Sequence, residues 1–133
     1  MASITTRLSL RTKNVFSNSF ITRHDKVTPV NAEADRRIKT IKAASGAPAT
    51  LVDASDYHDA GTETVFVFVK NSTSASNKFL YIKIGSQVVA KLKPAAYILL
   101  HWYVADASTD ITVYSNDSTN GVRAEYFVVK EST

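Results

Sequence analysis

The sequence predicts an all-β fold: a small antiparallel β-sandwich or barrel, jelly-roll-like or Ig-like, with an extended N-terminal arm. Two observations carry this expectation. The run from Thr64 to Asn71, TVFVFVKN, is built of β-branched and aromatic residues, which fit a pleated sheet. From residue 62 onward, short apolar runs are separated by stretches dense in Gly, Asn, Ser, Thr and Asp, the residues that make turns. Within the first run, Val65, Val67 and Val69 fall on one face and Phe66 and Phe68 on the other. Both faces are apolar, so the strand needs cover on both sides. One cover is the core. The other is the N-terminal half of the chain or another subunit.

Taken in order, residues 3–11 alternate, with Ile4, Thr6, Leu8 and Leu10 on one face and Arg7, Ser9 and Arg11 on the other; this is a strand with one wet face. From Lys13 to Val30 there is no sustained period, only isolated apolar points at Val15, Phe16, Phe20 and Ile21. Such a segment orders only by laying those side chains on something else, as an arm does. Residues 31–43 admit a helix capped by Asn31, but its apolar stripe, Ile38 and Ile41, is thin. A strand over 36–43, ended by Ser45-Gly46-Ala47-Pro48, is the preferred reading. Residues 49–52 form a short strand and 53–61 a polar loop.

After the strand at 64–70, Phe79–Ile84 and Gln87–Leu92 form a hairpin about Gly85-Ser86, where Gly at the first central position suits a type II′ turn. Val88, Ala90 and Leu92 are expected inward. Lys93-Pro94 ends the return strand. Residues 95–104 are almost wholly apolar and predict a second strand covered on both faces. Strands at 111–115 and 122–130, joined by the turn-rich 116–121, complete the set.

The length of 133 residues favours one domain overall, with an N-terminal strand, basic arm and loop over 1–61 and a compact β-domain over 62–133. There is no cysteine, hence no disulfide framework and no thiolate metal site. No run approaches the ~18 apolar residues of a membrane span, and the N-terminus lacks the apolar core of a signal peptide. The net charge of +4 is uneven: residues 1–42 hold nine Lys/Arg against three acids, and residues 43–133 hold seven against nine. A basic segment on a mildly acidic body fits an arm that seeks an acidic partner surface.

No catalytic or cofactor signature is present. The four glycines are too scattered for a phosphate loop or dinucleotide fingerprint, and Gly-x-Ser-x-Gly does not occur. His24, His58 and His101 form no ligand pair. Asp53, Asp56 and Asp59 surround His58, an arrangement that turn loops adopt far more often than metal sites do. Asn71-Ser72-Thr73 and Asn116-Asp117-Ser118 match the glycosylation pattern but read as ordinary polar loops. Tyr97, Trp102, Tyr103, Tyr114 and Tyr126 could line a sugar-binding face, though core and interface roles are commoner for them. The basic segment lacks the interleaved aromatics of a single-strand nucleic-acid groove beyond Phe16 and Phe20, so a protein partner is expected rather than nucleic acid.

Several short motifs resemble small virion structural proteins of tailed bacteriophages. They are Met1-Ala2-Ser3-Ile4, Arg7-Leu8-Ser9 and Asn14-Val15-Phe16-Ser17 at the start, then Phe66–Asn71, Tyr81–Ile84, Leu92–Pro94 and Ala124–Phe127. The chain departs from that family at Ala95-Ala96, where Gly-Glu is usual, which leaves the turn geometry there open. The resemblance implies a β-sandwich or barrel that assembles in the virion, without an enzymatic site or cofactor. The expected function is a capsid decoration or cement protein that binds the major capsid protein or other virion proteins, with a neck or tail component as the alternative and a carbohydrate-binding module as a weaker one. It would be made in the host cytoplasm and reside in the virion, most directly on the capsid surface, as a homo-oligomer, a trimer ahead of a dimer. The partner-binding candidates are Arg7, Arg11, Lys13, Phe16, Phe20, Ile21, Arg36, Arg37, Phe66 and Phe68.

Overall fold

The computed structural model describes residues 3–11, 21–29, 36–58 and 64–131. Ten strands follow in order: β1 (Ser3–Arg11), β2 (Ile21–Pro29), β3 (Arg37–Ile41), β4 (Ala49–Val52), β5 (Thr64–Asn71), β6 (Leu80–Ile84), β7 (Gln87–Leu92), β8 (Tyr97–Tyr103), β9 (Ile111–Ser115) and β10 (Val122–Lys130). β1 and β2 pair as a separate antiparallel hairpin. The other eight form two four-stranded antiparallel sheets, ordered β3-β10-β5-β8 and β4-β9-β6-β7. Successive strands alternate between the sheets except at the β6–β7 hairpin. This is the eight-stranded order of a jelly roll, so the jelly-roll-like expectation holds and the Ig-like one does not. β3 and β4 each enter one of the sheets, so the sandwich begins upstream of residue 62.

The core follows from alternation. Val65, Val67 and Val69 point inward with Trp102, Val122 and Ala124, against Leu80, Ile82, Ile111 and Val113 of the facing sheet. Each such side chain contributes about 1.5–3 kcal/mol when fully buried. The fully buried Asn71 closes β5. Its Nδ2 donates to the carbonyls of Lys78 (3.0 Å) and Leu92 (2.9 Å), and its Oδ1 accepts from Thr73 N–H at 3.1 Å. One amide thus ties the end of a strand in the first sheet to the entry of β6 and the exit of β7 in the second. With both its donors engaged in the core, Asn71 is a structural residue and not a glycan acceptor.

The turns are specific. Gly85 has φ 59° while Ser86 stays negative, as a type II′ hairpin requires. At Gly121 (φ 78°) a Cβ would lie 2.6 Å from Thr40 Cγ2 and 3.0 Å from the Ile41 carbonyl, so both backbone and packing demand glycine. Ala95 is the non-glycine exception at φ 68°. Ala96 N–H donates to the Lys93 carbonyl at 2.9 Å, making Lys93-Pro94-Ala95-Ala96 a type II turn with proline second and a left-handed residue third. The turn is locked to β5: Ala95 N–H donates to the Asn71 carbonyl (2.8 Å) and Asn71 N–H to that of Ala96 (2.9 Å).

Three further expectations change, while the preferred strand over 36–43 is found at Arg37–Ile41. Residues 21–29 are not irregular; their backbone pairs with β1 in unbroken register from Arg11↔Ile21 to Ser3↔Pro29, so hydrogen bonding to a neighbour orders them without an apolar period. The helix alternative for 31–43 fails at Arg37–Ile41, which pairs with β10 as a strand; residues 31–35 lie outside the described residues. Val88 points outward and is exposed. The β6–β7 register shifts after Ile82↔Ala90 to Lys83↔Val88, and the extra residue, Val89, reverses the facing beyond it. Finally, β8 is an edge strand with one buried face, its outer residues Tyr97, Leu99, His101 and Tyr103 all exposed.

Asn71→Ala leaves two buried carbonyls unpaired and should lower unfolding stability by about 3 kcal/mol, measured by urea denaturation. Ala95→Gly relieves the left-handed strain and should raise stability by about 1 kcal/mol in the same assay; a loss would contradict the assigned turn.

Candidate assembly interface

The outward face of the first sheet carries an aromatic and aliphatic cluster centred on β5. The register sets Phe66 beside His101 and Val129, and Phe68 beside Leu99 and Phe127. The Phe127 ring stacks between Phe68 (5.2 Å, 20°) and Phe66 (5.8 Å, 10°). Phe66 meets the His101 ring edge-on at 5.2 Å, and Phe68 meets Tyr97 at 6.1 Å. His101 Nδ1 pairs with the Glu131 carboxylate. Ile4 of β1 packs on this cluster. The chain's own hairpin therefore supplies part of the second cover that the strand requires, and Phe66 is 1% exposed. Among the described residues the cover leaves Tyr97 and Leu99 of β8 53% and 40% exposed.

Exposed apolar side chains concentrate on one side of the sandwich. β7 and β8 are edge strands that touch one another. Val88 and Val89 on β7, and Tyr97, Leu99 and Tyr103 on β8, are exposed; elsewhere among the described residues the large exposed apolar side chains are Leu8 and Ile38. Exposed apolar side chains gathered along one side of a domain mark a candidate interaction surface.

The β3 edge has the opposite character. Arg36, Arg37, Lys39 and Lys42 are exposed along it, and Arg123 of β10, also exposed, sits opposite Thr40. Arg36 pairs with Glu125 at 2.9 Å, and an ion pair this exposed contributes little to stability. The strip is a row of cations held in fixed order by the β3–β10 ladder.

The ten sequence candidates are distributed as follows. Arg7 is exposed on β1. Arg11 and Ile21 lie in β1 and β2, with side chains outside the described residues, as are Lys13, Phe16 and Phe20 entirely. Arg36 and Arg37 belong to the basic edge, and Phe66 and Phe68 to the aromatic face. The structure joins the two phenylalanines with Phe127, Val129 and Ile4 and leaves them remote in role from the arginines. Phe127, Tyr97 and Leu99 complete the face and were not among the candidates; only strand pairing brings them there.

The remaining polar groups serve the fold. Asp53 caps the 3-10 turn Ala54–Asp56, and the Ser55 hydroxyl and then its N–H hold its carboxyl below the usual range. His58 Nδ1 lies 3.1 Å from the Val104 carbonyl; Asp59 lies outside the described residues. Asp106 accepts from the N–H and hydroxyl groups of Ser108 and Thr109, and these bonds, that of the Ser108 N–H first, lower its carboxyl to about 2. Asn116 bonds to Phe79 N–H and the Asn77 carbonyl. The aromatics of the sugar-face expectation do not share a face: Trp102 is in the core with Tyr126 packed on it, Tyr97 and Tyr103 are on the outer side of the first sheet, and Tyr114 stacks on Tyr81 at 4.7 Å on the outer side of the second. Comparison with protein-family models and with curated protein sequences finds no match.

Ile4→Asp should release the hairpin from the aromatic face and leave the sandwich folded. The melting temperature should move by no more than about 4–8 °C, the shift of roughly 1 kcal/mol, while binding of an apolar fluorescent dye rises as the phenylalanines are uncovered. Unchanged dye binding would show that Ile4 does not cover them.

Proposed function

We propose that this chain is a virion structural protein of a tailed bacteriophage, a decoration or cement protein that binds and stabilises the lattice of the major capsid protein. The observation that carries this reading is the separation of surfaces. Asn71, Asp106 and Asn116 are committed to the chain's own strand ends and turns, while the two sides of the sandwich offer a basic edge at β3 and an apolar edge at β7–β8. That is the equipment of a binding body rather than of a catalyst. The motif resemblance to phage virion proteins supports the same reading, and so does the jelly roll, an architecture that capsid proteins use and that lectins share; fold likeness alone does not assign function.

In this account the sandwich is the rigid body. The cations of β3 meet the acidic exterior of the capsid and orient docking. The N-terminal segment lies across neighbouring capsid subunits, with Arg7, Arg11 and Lys13 as charge complement and Phe16, Phe20 and Ile21 as apolar anchors. Ordering such a segment costs about 1–2 kcal/mol per residue in backbone entropy, so the anchors must be buried for it to stay bound.

The test is binding to heads assembled from the major capsid protein. Deletion of residues 1–30, and separately Arg37→Glu with Lys39→Glu, should each weaken binding at least tenfold, about 1.4 kcal/mol. Undiminished binding of both variants would overturn the docking account, and tight binding to free DNA in place of heads would overturn the choice of partner. Copy number in purified particles separates the locations: on the order of hundreds places the chain on the capsid, and about six or twelve in a ring of the neck or tail.

A further inference from the structure

We propose that β8 pairs with the β8 of a second copy of this chain, antiparallel about a two-fold axis at Leu100, joining two four-stranded sheets into one of eight strands. The proposal does not depend on the virion reading; it follows from the edges of the sandwich.

Among the described residues the two sheets end in four edge strands, and edges of this kind are rows of N–H and C=O groups that proteins normally blunt with charge, brevity or a bulge. β3 carries Arg37 and Lys39 and is flanked by Arg36 and Lys42. β4 is four residues long and its register slips between Thr50 and Val52. β7 is interrupted by the bulge at Val89 and carries Lys91. β8 has none of these devices. Its seven residues, YILLHWY, include no proline, no lysine, no arginine and no acid. Its register with β5 is unbroken from Tyr97 to Tyr103, so its other edge is a regular, full-length template for a strand.

The occupant that fits this edge is the strand itself. Hydrogen-bonding groups in a row call for a β-strand, and since the ionisable residue of β8, His101, is held by its own chain's Glu131 carboxylate and faces Leu99 in this register, β8 opposes its own copy without like charges in register. The acidic partner that suits β3 has no counterpart for its charge here. A two-fold contact is self-complementary by construction. With Leu100 on the axis, Leu99 faces the partner's His101 and Ile98 faces the partner's Trp102. Lys91 does not intrude on this seam, because its Nζ lies over the Phe79 ring at 4.4 Å and the Tyr81 ring at 5.7 Å, and Tyr81 stacks with Tyr114 on the outer side of the other sheet.

The test uses the purified full chain and needs no capsid. Sedimentation from about 1 to 200 µM should show a reversible dimer, since assembly follows mass action. Leu99→Lys, at an exposed position, should weaken the dimer at least tenfold while the emission of the buried Trp102 shows the fold intact. The chain has no cysteine, so single cysteines report proximity cleanly. Leu100→Cys should form a disulfide-linked dimer on mild oxidation, and Thr50→Cys, on the β4 edge, should not. A monomer throughout the range, a trimer, a dimer indifferent to Leu99→Lys, or equal cross-linking of the two cysteine variants would each overturn the pairing.

Discussion

The molecule depends on β5 being buried on both faces. Its valines fix the sandwich from inside, and its phenylalanines require a second layer outside, which Ile4 begins to supply. The end of the strand is held as firmly as its middle. Asn71 carries no charge, has no exposed surface and uses both amide protons on carbonyls of the opposite sheet. Its backbone also holds the Lys93–Ala96 turn that leads into β8. A polar group placed there with fewer partners would destabilise the crossing it now secures. The order of strands, the entry to β8 and the aromatic outer face all follow from how β5 is covered and ended.

The outer surfaces extend this constraint into chemistry. On one side, β3 presents cations in a fixed row. On the other, β7 and β8 present valines, leucine and tyrosine with no charge among the β8 residues. Charged complementarity sets orientation and approach, whereas apolar contact and strand pairing hold. A body built this way can join its own copy along one side and a charged lattice along the other without the two contacts competing for surface. The hairpin adds a third element, because the face it partly covers is continuous with the exposed ring of Tyr97.

Most of the sandwich was legible because alternation is a local signal. The strands from β5 to β10, the turn at Gly85-Ser86 and the need for double cover at Phe66 and Phe68 can all be seen in runs of a few residues. What was hidden depends on pairing. Val88 looks inward by counting, and only the extra residue Val89 turns it outward. β8 looks like a central strand by composition, yet among the described residues it is an edge, and nothing in YILLHWY says so. β2 has no apolar period because its order comes from backbone bonds to β1. Phe127 and Leu99 join the aromatic face through register, which no single stretch encodes. Ala95 is an instructive departure: the residue that breaks the family resemblance sits where the turn needs a positive φ.

If the sandwich keeps one side for a second copy and the other for a partner, amide hydrogen exchange at two concentrations shows it. At about 200 µM the amides of β8 that point away from β5 should exchange slowly, and at about 1 µM rapidly, as expected when a pairing dissociates by mass action. The amides along the free edge of β3 should exchange at the same rate at both concentrations. Equal exchange of β8 at both, or protection that grows at β3 instead, would contradict the account.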